Sequence, residues 1–186
     1  MSSIVRGRVG LDGMRERTRE ILNQPLGEII VPADQAMAAD LTVLDQWSVP
    51  SGDRKALAQW GLPLLEDYRL IANLQEEAAP TETDDGRRYY SLGTWLDFEV
   101  VAASPSGEVW GIPLTNWRPA SYFINSSIAG FIESAWRWYR ISRVINAEDS
   151  VERYGCLRDF FDFIATHDPK VTARQDSLWR EVLLSD

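Results

Sequence analysis

The run from Gly107 to Tyr139 most constrains how this chain can fold, because it indicates a turn, an edge-like strand, a connection and then a long helix. The connection ends in Asn125, Ser126 and Ser127, whose side-chain oxygens can accept from the open amides of a first helical turn. Beyond them, apolar residues recur at three- and four-residue steps, which predicts one buried face of a helix over residues 126–145. These apolar residues are Ile128, Phe131, Ile132, Ala135 and Tyr139.

Upstream of this run, short apolar or alternating segments predict the strands of an antiparallel sheet. The segment Ser104–Gly107 is a good turn, with proline at its second place. Because helical patterns come before and after the strands and not between them, the fold class is α+β. We predict a single domain with an antiparallel meander of about four strands, flanked by N- and C-terminal helices. The predicted strands are residues 68–72, 88–93, 97–103 and 108–114.

The flanking helices follow from spacing and capping residues. On the N-terminal side, a loose lead over residues 1–13 precedes the predicted elements, and residues 26–32 form a strand or an extended strap. We expect residues 1–50 to form a helical or extended extension packed on the core, and residues 51–186 to form the α+β domain. The predicted helices are 14–24, one capped by Asp34 and running to Leu44, one capped by Asp53 and ending at Trp60, a long one ending at His167, and a short one from 176 or 177 to 184.

Four segments occur in an order that resembles the SUKH superfamily, in particular its fourth bacterial group. They are Leu57–Pro63 with its final Gly-Leu-Pro, Tyr89–Gly93, Ser106–Trp110 and Phe123–Ser127. The resemblance runs from about residue 54 to about residue 143, and the strand before the hairpin is bulkier and more charged than the family pattern. It implies a SUKH-like fold and the role of an immunity protein in a bacterial polymorphic toxin system, with a cognate toxin domain as partner.

Composition supports a protein partner. The net charge of −9 and the pI near 4.7 argue against nucleic-acid binding, because phosphates repel an acidic surface. The same charge favours fast encounter with a basic partner, although a solvated acidic surface without special purpose also explains it. The eight tryptophans are explained either by a core rich in large rings or by Trp47, Trp95 or Trp117 at a partner surface.

The single cysteine, Cys156, lies in an apolar helical run and cannot form an internal disulfide, so we expect a buried thiol and a reducing, cytoplasmic setting. There is no apolar run of membrane-spanning length and no signal-like N-terminus, so we expect no membrane association.

Residues suited to catalysis are scarce. With one His and one Cys, a zinc site built from these ligands is excluded, and any His-based scheme depends on His167 at a helix end. No strand precedes the spaced Gly7, Gly10 and Gly13, so they do not form a phosphate loop. The pairs Asp97/Glu99 and Asp84/Asp85 could bind a cation or serve acid–base chemistry, but a water-facing surface explains the first pair better. We predict no enzymatic activity, no cofactor and no metal.

We predict that the chain blocks the active site of a toxin, such as a nuclease, whose groove is basic. The alternative is an interaction or regulatory scaffold of the same fold that engages a cellular client. The sequence leaves the toxin and the oligomeric state open. The predicted partner-binding residues are Glu76, Glu77, Glu82, Asp84, Asp85, Asp97, Glu99 and Trp117.

Overall fold

An antiparallel sheet organises the fold. The structure is a computed structural model, and it describes residues 11–30, 36–64, 70–74, 78–83, 86–115, 121–145 and 150–184. The strands are β1 (Ala36–Met37), β2 (Leu62–Pro63), β3 (Leu70–Ala72), β4 (Thr81–Glu82), β5 (Arg88–Trp95), β6 (Phe98–Ala103), β7 (Val109–Pro113) and β8 (Tyr122–Asn125).

The main sheet has the order β3-β5-β6-β7-β8, its neighbours are antiparallel, and β4 also pairs with β5. Strands β1 and β2 form a separate pair. The α+β class and the antiparallel meander are confirmed, but the number of about four strands is wrong, because β8 adds a fifth strand to the path. The sequence assigned β8 to a connection, since four residues are too short to show a clear alternation. Its pairing with β7 includes Trp110 opposite Phe123.

The helices lie before and after the main sheet. The predicted helices over residues 14–24, up to Trp60, 126–145, up to His167 and up to 184 are confirmed within a few residues. The helices are α1 (Leu11–Asn23), α2 (Leu26–Ile29), α3 (Leu41–Leu44), α4 (Ser51–Trp60), α5 (Ile128–Val144), α6 (Ser150–His167), α7 (Pro169–Ala173) and α8 (Leu178–Leu184). None of these helices is long and apolar enough to cross a membrane.

Two N-terminal predictions are wrong. Residues 26–32 were expected to be extended, but α2 forms a single helical turn there. The helix expected from Asp34 is replaced by β1 and the short α3, whose N-cap is Asp40; the Asp40 side chain accepts from the amide of Thr42 at 2.8 Å. Ala36 and Met37 are extended because they pair with β2. Local helix propensity contains no information on such a pairing, so the sequence pattern could not predict it.

The core joins one face of the main sheet to the helices. Strand β6 shows the alternation, because Phe98, Val100 and Ala102 are at most 1% exposed and face the core. Trp47 and Trp95, at 1% and 2% exposure, also belong to this core, so the alternative of a place at a partner surface is wrong for these two tryptophans. The third candidate, Trp117, lies outside the described residues. A position in the aromatic-rich core is thus confirmed for two of the three tryptophans.

The core includes residues from both predicted parts of the chain. Leu22 and Leu44 precede residue 50, and they belong to the same hydrophobic cluster as the sheet residues. The division of the chain at residue 50 stays a prediction.

A buried group of polar residues surrounds the N-terminus of α5, and we call Asp53, Asn125, Ser127 and Asp168 the polar junction. Ser127 is the N-cap, and its Oγ accepts from the amide of Gly130 at 3.0 Å. The Asp168 Oδ2 accepts from the backbone amide adjacent to this cap, at 2.6 Å, and from Asn125 Nδ2 at 3.3 Å. Of the three residues expected to supply capping oxygens, only Ser127 does so.

The side chain of Asp53 also serves the N-terminus of α5, although the residue itself lies in α4. The N-cap of α4 is Pro50, and the Asp53 carboxylate accepts from the amide of Ala129 at 2.9 Å. The position where Gly107 would carry a Cβ is in steric conflict with Asp53 Oδ2, so the hairpin between β6 and β7 packs against this carboxylate. The prediction that Asp53 caps α4 is therefore wrong, and its carboxylate links three elements that are distant in sequence.

Arginines of α5 hold the N-terminal helices in place. Arg137 donates to the carbonyl of Gln24 at 2.7 Å, and Arg140 donates twice to the carbonyl of Ile29, at 2.8 and 2.6 Å. These carbonyls lie at the ends of α1 and α2, where helices leave acceptors unpaired. Cations near the C-terminus of a helix also suit its dipole, and in the structure Arg137 and Arg140 of α5 bind other helices as well.

Candidate interaction surface

The second face of the main sheet carries side chains suited to binding. Because side chains alternate along a strand, Glu99 and Val101 of β6 point away from the core that contains their neighbours. Their cross-strand partners on β7 are Ile112 and Trp110, respectively, and Tyr89 of β5 extends the same face. We call these five residues the outer face. All of them are half-buried except Val101, which is buried.

A pocket of about 220 Å³ opens on the outer face. Its lining combines apolar side chains, two aromatic rings and charged groups. The lining residues are Thr83, Arg87, Arg88, Tyr89, Val101, Ala103, Glu108, Trp110, Ile112 and Ser121.

Three of the eight predicted binding residues lie in the described part of the chain. Glu82 is exposed at the end of β4, opposite Arg88. Glu99 lies on the outer face. Asp97 was expected to begin a strand, but it lies in the turn before β6, where its carbonyl accepts from the amide of Leu114 at 2.9 Å. The other five, Glu76, Glu77, Asp84, Asp85 and Trp117, lie outside the described residues.

The structure brings together some of these residues and separates others. Asp97 and Glu99 lie near the end of the β5–β6 hairpin, which we call the Asp97 end. Glu82 lies beside the start of β5, which we call the Arg88 end. Glu99 pairs with Thr94, six residues along β5 from Arg88, and at about 3.3 Å per residue this is roughly 20 Å. The described acidic residues therefore form two groups at opposite ends of one strand.

Two electrostatic features shape the outer face. Burial, together with the negative charge of Glu99, raises the pKa of the Tyr89 hydroxyl, so this group stays protonated and able to donate at neutral pH. At the Arg88 end, Lys170 of α7 pairs with Glu108 at 3.0 Å, which offsets one carboxylate of the pocket.

Tyr89, Arg88 and Trp110 were not predicted from sequence to belong to the binding site. A signal was present, because Trp110 and Ile112 alternate with residues of the β7 core face and so belong to one side of the strand. What was missing is the register that places Trp110 beside Val101, since cross-strand partners follow from pairing and not from local sequence.

Cys156 and His167, which were considered for catalysis, are both engaged in local packing. Cys156 is buried as expected, and burial raises the pKa of its thiol. The His167 ring Nδ1 lies 2.8 Å from the carbonyl of Phe163, and the two rings stack at 4.0 Å. In the described ranges, no group of three or more His, Cys, Asp or Glu side chains could hold a metal ion.

Comparison with known proteins identifies the family. The family model described as SUKH-4 immunity protein matches residues 30–185, which extends the resemblance well beyond residues 54–143 in both directions. No curated protein and no solved structure gives a significant match. Because the family match covers far more than half of the chain, this protein belongs to the SUKH-4 immunity protein family.

Proposed function

We propose that this chain neutralises a cognate toxin by binding the toxin domain directly and covering its active site. Membership of an immunity protein family implies a toxin-neutralising role, and this match is the observation that carries the proposal. A family of this kind generally acts by binding and not by catalysis. The burial of Cys156 and the contact of the His167 ring with the Phe163 carbonyl agree with this.

The charge of the chain favours a toxin with a basic active-site groove, such as a nuclease. The net charge is −9, and Asp97 and Glu99 supply negative charge at one end of the outer face. Complementary charge accelerates encounter, and salt screens this long-range attraction beyond about 8–10 Å at physiological ionic strength. Half-buried aromatic residues of the outer face, such as Trp110 opposite Val101, supply the apolar contact that surface charges alone do not provide.

The proposed binding surface combines the outer face with the acidic residues predicted from sequence. It includes the two ends of β5 and the connections that leave the sheet there. The connection that contains Trp117 follows β7, whose last residue Pro113 pairs with Phe98, so it begins at the Asp97 end. The acidic and aromatic residues of this surface are Glu76, Glu77, Glu82, Asp84, Asp85, Asp97, Glu99 and Trp117.

Co-expression with the toxin encoded by the neighbouring reading frame tests the function. The chain should restore growth, form a stable complex with the toxin domain, and abolish its activity at a one-to-one ratio. A complex in which the toxin stays fully active would contradict the proposed block of the active site. Absence of any complex would contradict direct binding.

Association kinetics test the surface. The double variant Asp97→Asn/Glu99→Gln should bind more slowly than the parent and show a weaker dependence on salt, because it removes two charges that steer encounter. The matched control is Glu16→Gln/Glu20→Gln, which removes two exposed charges from α1. Equal slowing by both double variants would mean that net charge, and not this surface, determines association.

A further inference from the structure

Leu114 is an exposed apolar residue at the Asp97 end of the outer face. It directly follows β7 and is 55% exposed. The amide of Leu114 donates to the carbonyl of Asp97 at 2.9 Å, which extends the pairing of β7 with β6 by one step beyond Pro113. Because alternate residues of a strand share a face, Leu114 continues the side of β7 that carries Ile112. The outer face therefore ends in an apolar residue that is open to water.

Two carboxylates lie close to Leu114 in the register of the sheet. Asp97 is opposite Leu114, and Glu99 is opposite Ile112, the next residue of β7 on this face. Both acidic residues are half-buried, and no lysine, arginine or histidine of the described chain lies within ion-pair distance of either carboxylate. A basic residue of a partner could therefore pair with them without first breaking an ion pair within the chain. Other carboxylates of the described chain do have such internal partners, namely Glu108, Glu133, Asp159, Asp162 and Asp176.

The hairpin turn that carries Asp97 is firmly held. Trp95 and Phe98 pair across this turn and are 2% and 0% exposed, so both of its ends are fixed in the core. Leu96, the other residue of the turn, has a φ of +55°, a left-handed conformation that is unfavourable for leucine. The surrounding structure maintains this conformation, since Leu96 also packs against the core. A fixed turn presents Asp97 in one position, so little conformational entropy would be lost when a partner binds there.

The other exposed large apolar residues of the described chain have different surroundings. Leu41, at 56% exposure, follows an N-cap aspartate whose carboxylate already accepts from the amide and the hydroxyl of Thr42. Val151 and Tyr154 lie on α6 and have Arg153 between them in sequence, and an exposed arginine repels a basic groove. The surroundings of Leu114 are therefore better suited to a basic partner than those of the other three.

We propose that Leu114 is the apolar anchor of the toxin interface, and that a lysine or arginine of the toxin lies against it and pairs with Asp97 or Glu99. The inference rests on the proposed function, and it adds the residue that anchors the complex and the type of toxin residue that meets it. Lysine and arginine fit this surface because their methylene stems pack on an apolar side chain while the charged group reaches a carboxylate. Exclusion of water by Leu114 strengthens the charge pair beside it.

Matched leucine substitutions test the anchor with the toxin domain that forms a complex with the chain in co-expression. Leu114→Ala should raise Kd at least about tenfold, mainly by faster dissociation, and should leave the salt dependence of association unchanged because it alters no charge. The control Leu41→Ala removes the same atoms at nearly the same exposure, 56% against 55%, and should change Kd by less than about twofold. Both variants should keep the thermal unfolding midpoint of the parent within about 2 °C, since both positions are exposed.

A charge swap tests the type of toxin residue. Asp97→Lys should raise Kd at least about 30-fold, because it replaces attraction by repulsion. Each lysine and arginine that lines the active site of the toxin is then replaced by glutamate in turn. One of these toxin variants should recover at least about tenfold of the affinity lost in Asp97→Lys. The same toxin variant should not restore binding to Leu114→Ala, since that protein lacks an apolar contact and not a charge.

The outcomes separate this inference from the proposed function. If Leu114→Ala binds like Leu41→Ala, or if no toxin variant rescues Asp97→Lys, the inference is wrong, and the proposed function stands because the parent chain still neutralises the toxin. If Leu114→Ala binds the toxin like the parent and changes only the self-association of the chain in sedimentation, a second copy covers Leu114 and the inference is wrong. If no toxin domain binds the parent chain, the proposed function and this inference both fail.

Discussion

Asn125 should be among the most stability-sensitive polar residues of the chain, for a reason other than helix capping. It is fully buried, its Oδ1 accepts from Trp179 Nε1 at 3.0 Å, and its Nδ2 donates to Asp168 Oδ2 at 3.3 Å. The side chain therefore joins the end of β8 to α8 and to Asp168, which precedes α7. Asn125→Ala would remove both hydrogen bonds and leave the indole N–H of Trp179, which is 1% exposed, without its acceptor.

The magnitude follows from these two bonds. A buried donor that loses its partner costs about 1–3 kcal/mol. The bond to Asp168 is longer, and Asp168 Oδ2 keeps a 2.6 Å bond from the amide of Ser126, so this second loss is nearer to 1 kcal/mol. The free energy of unfolding should therefore fall by about 3 kcal/mol. At roughly 2–4 °C per kcal/mol for a chain of this size, Tm should fall by about 6–12 °C.

Urea and thermal unfolding followed by circular dichroism would measure this change. Ser126→Ala is the matched control, because the Ser126 hydroxyl makes no hydrogen bond to a described residue and its backbone amide is kept. It should change the free energy of unfolding by less than about 0.5 kcal/mol. If Asn125→Ala melts within 2 °C of the parent, or if both variants lose the same stability, the assigned hydrogen-bond network is wrong.

Three further predictions concern the buried charges and the hairpin. Burial raises the pKa of the Asp53 carboxyl above its ordinary value of 3.8, so the folded state binds the carboxyl proton more tightly than the unfolded state, and this contribution to stability is lost as pH rises through the raised pKa. In urea unfolding, Asp53→Asn should therefore gain stability relative to the parent between pH 4 and pH 7. A stability difference between the two proteins that does not change over this pH range would contradict the shift. Gly107→Ala should lower the free energy of unfolding by more than about 2 kcal/mol in the same assay, because φ is +76° and the new Cβ would overlap the Asp53 carboxylate; a parent-like midpoint would contradict the close packing. Arg137→Ala should lower the free energy of unfolding by about 3 kcal/mol, since this arginine is 3% exposed and donates to the carbonyl of Gln24 at the end of α1. The control Arg143→Ala, at an exposed position, should lower it by at most about 1 kcal/mol. Equal losses of stability in calorimetry would refute this difference.

The long elements of this fold could be predicted from sequence because their signals are local. The apolar spacing after Ser127 identified α5, and the turn Ser104–Gly107 identified the hairpin between β6 and β7. In each case one stretch of sequence carries both the pattern and the residues that begin or end the element. Short elements such as α2 and β8 carry too few residues for such a pattern, and their conformation follows from the partner they pack against.

The polar junction could not be predicted, because its bonds join residues far apart in sequence. Asp53 and Ala129 are separated by 76 positions, and Asn125 and Trp179 by 54. From sequence, an aspartate three residues after a proline favours a cap of the nearest helix, and that assignment was wrong. Local rules give the chemistry of such a group, which is to accept from helix amides, but not the helix that it serves.

The candidate site was predictable in type more than in position. Negative charge and an aromatic residue were expected, and the outer face provides Glu99 with Trp110 on the neighbouring strand. From sequence, Glu82, Asp97 and Glu99 were predicted to lie on one partner-binding surface. The structure places them at opposite ends of β5, since an antiparallel hairpin moves sequence neighbours apart by the length of its strand.

This separation bears on how the outer face would recognise its partner. The two ends of β5 are about 20 Å apart, which exceeds the screening length of about 8–10 Å at physiological ionic strength, so the charges at each end act on a partner independently. The buried carboxylates of Asp53 and Asp168 are already engaged with amides at the start of α5, and they contribute little to such an encounter. The charge relevant to binding is therefore not the net value of −9 but its distribution, with Asp97 and Glu99 at one end of β5 and Glu82, opposite Arg88, at the other. A uniformly acidic surface would attract any basic protein, whereas two acidic groups separated by the length of β5 select a partner whose basic residues have a matching separation.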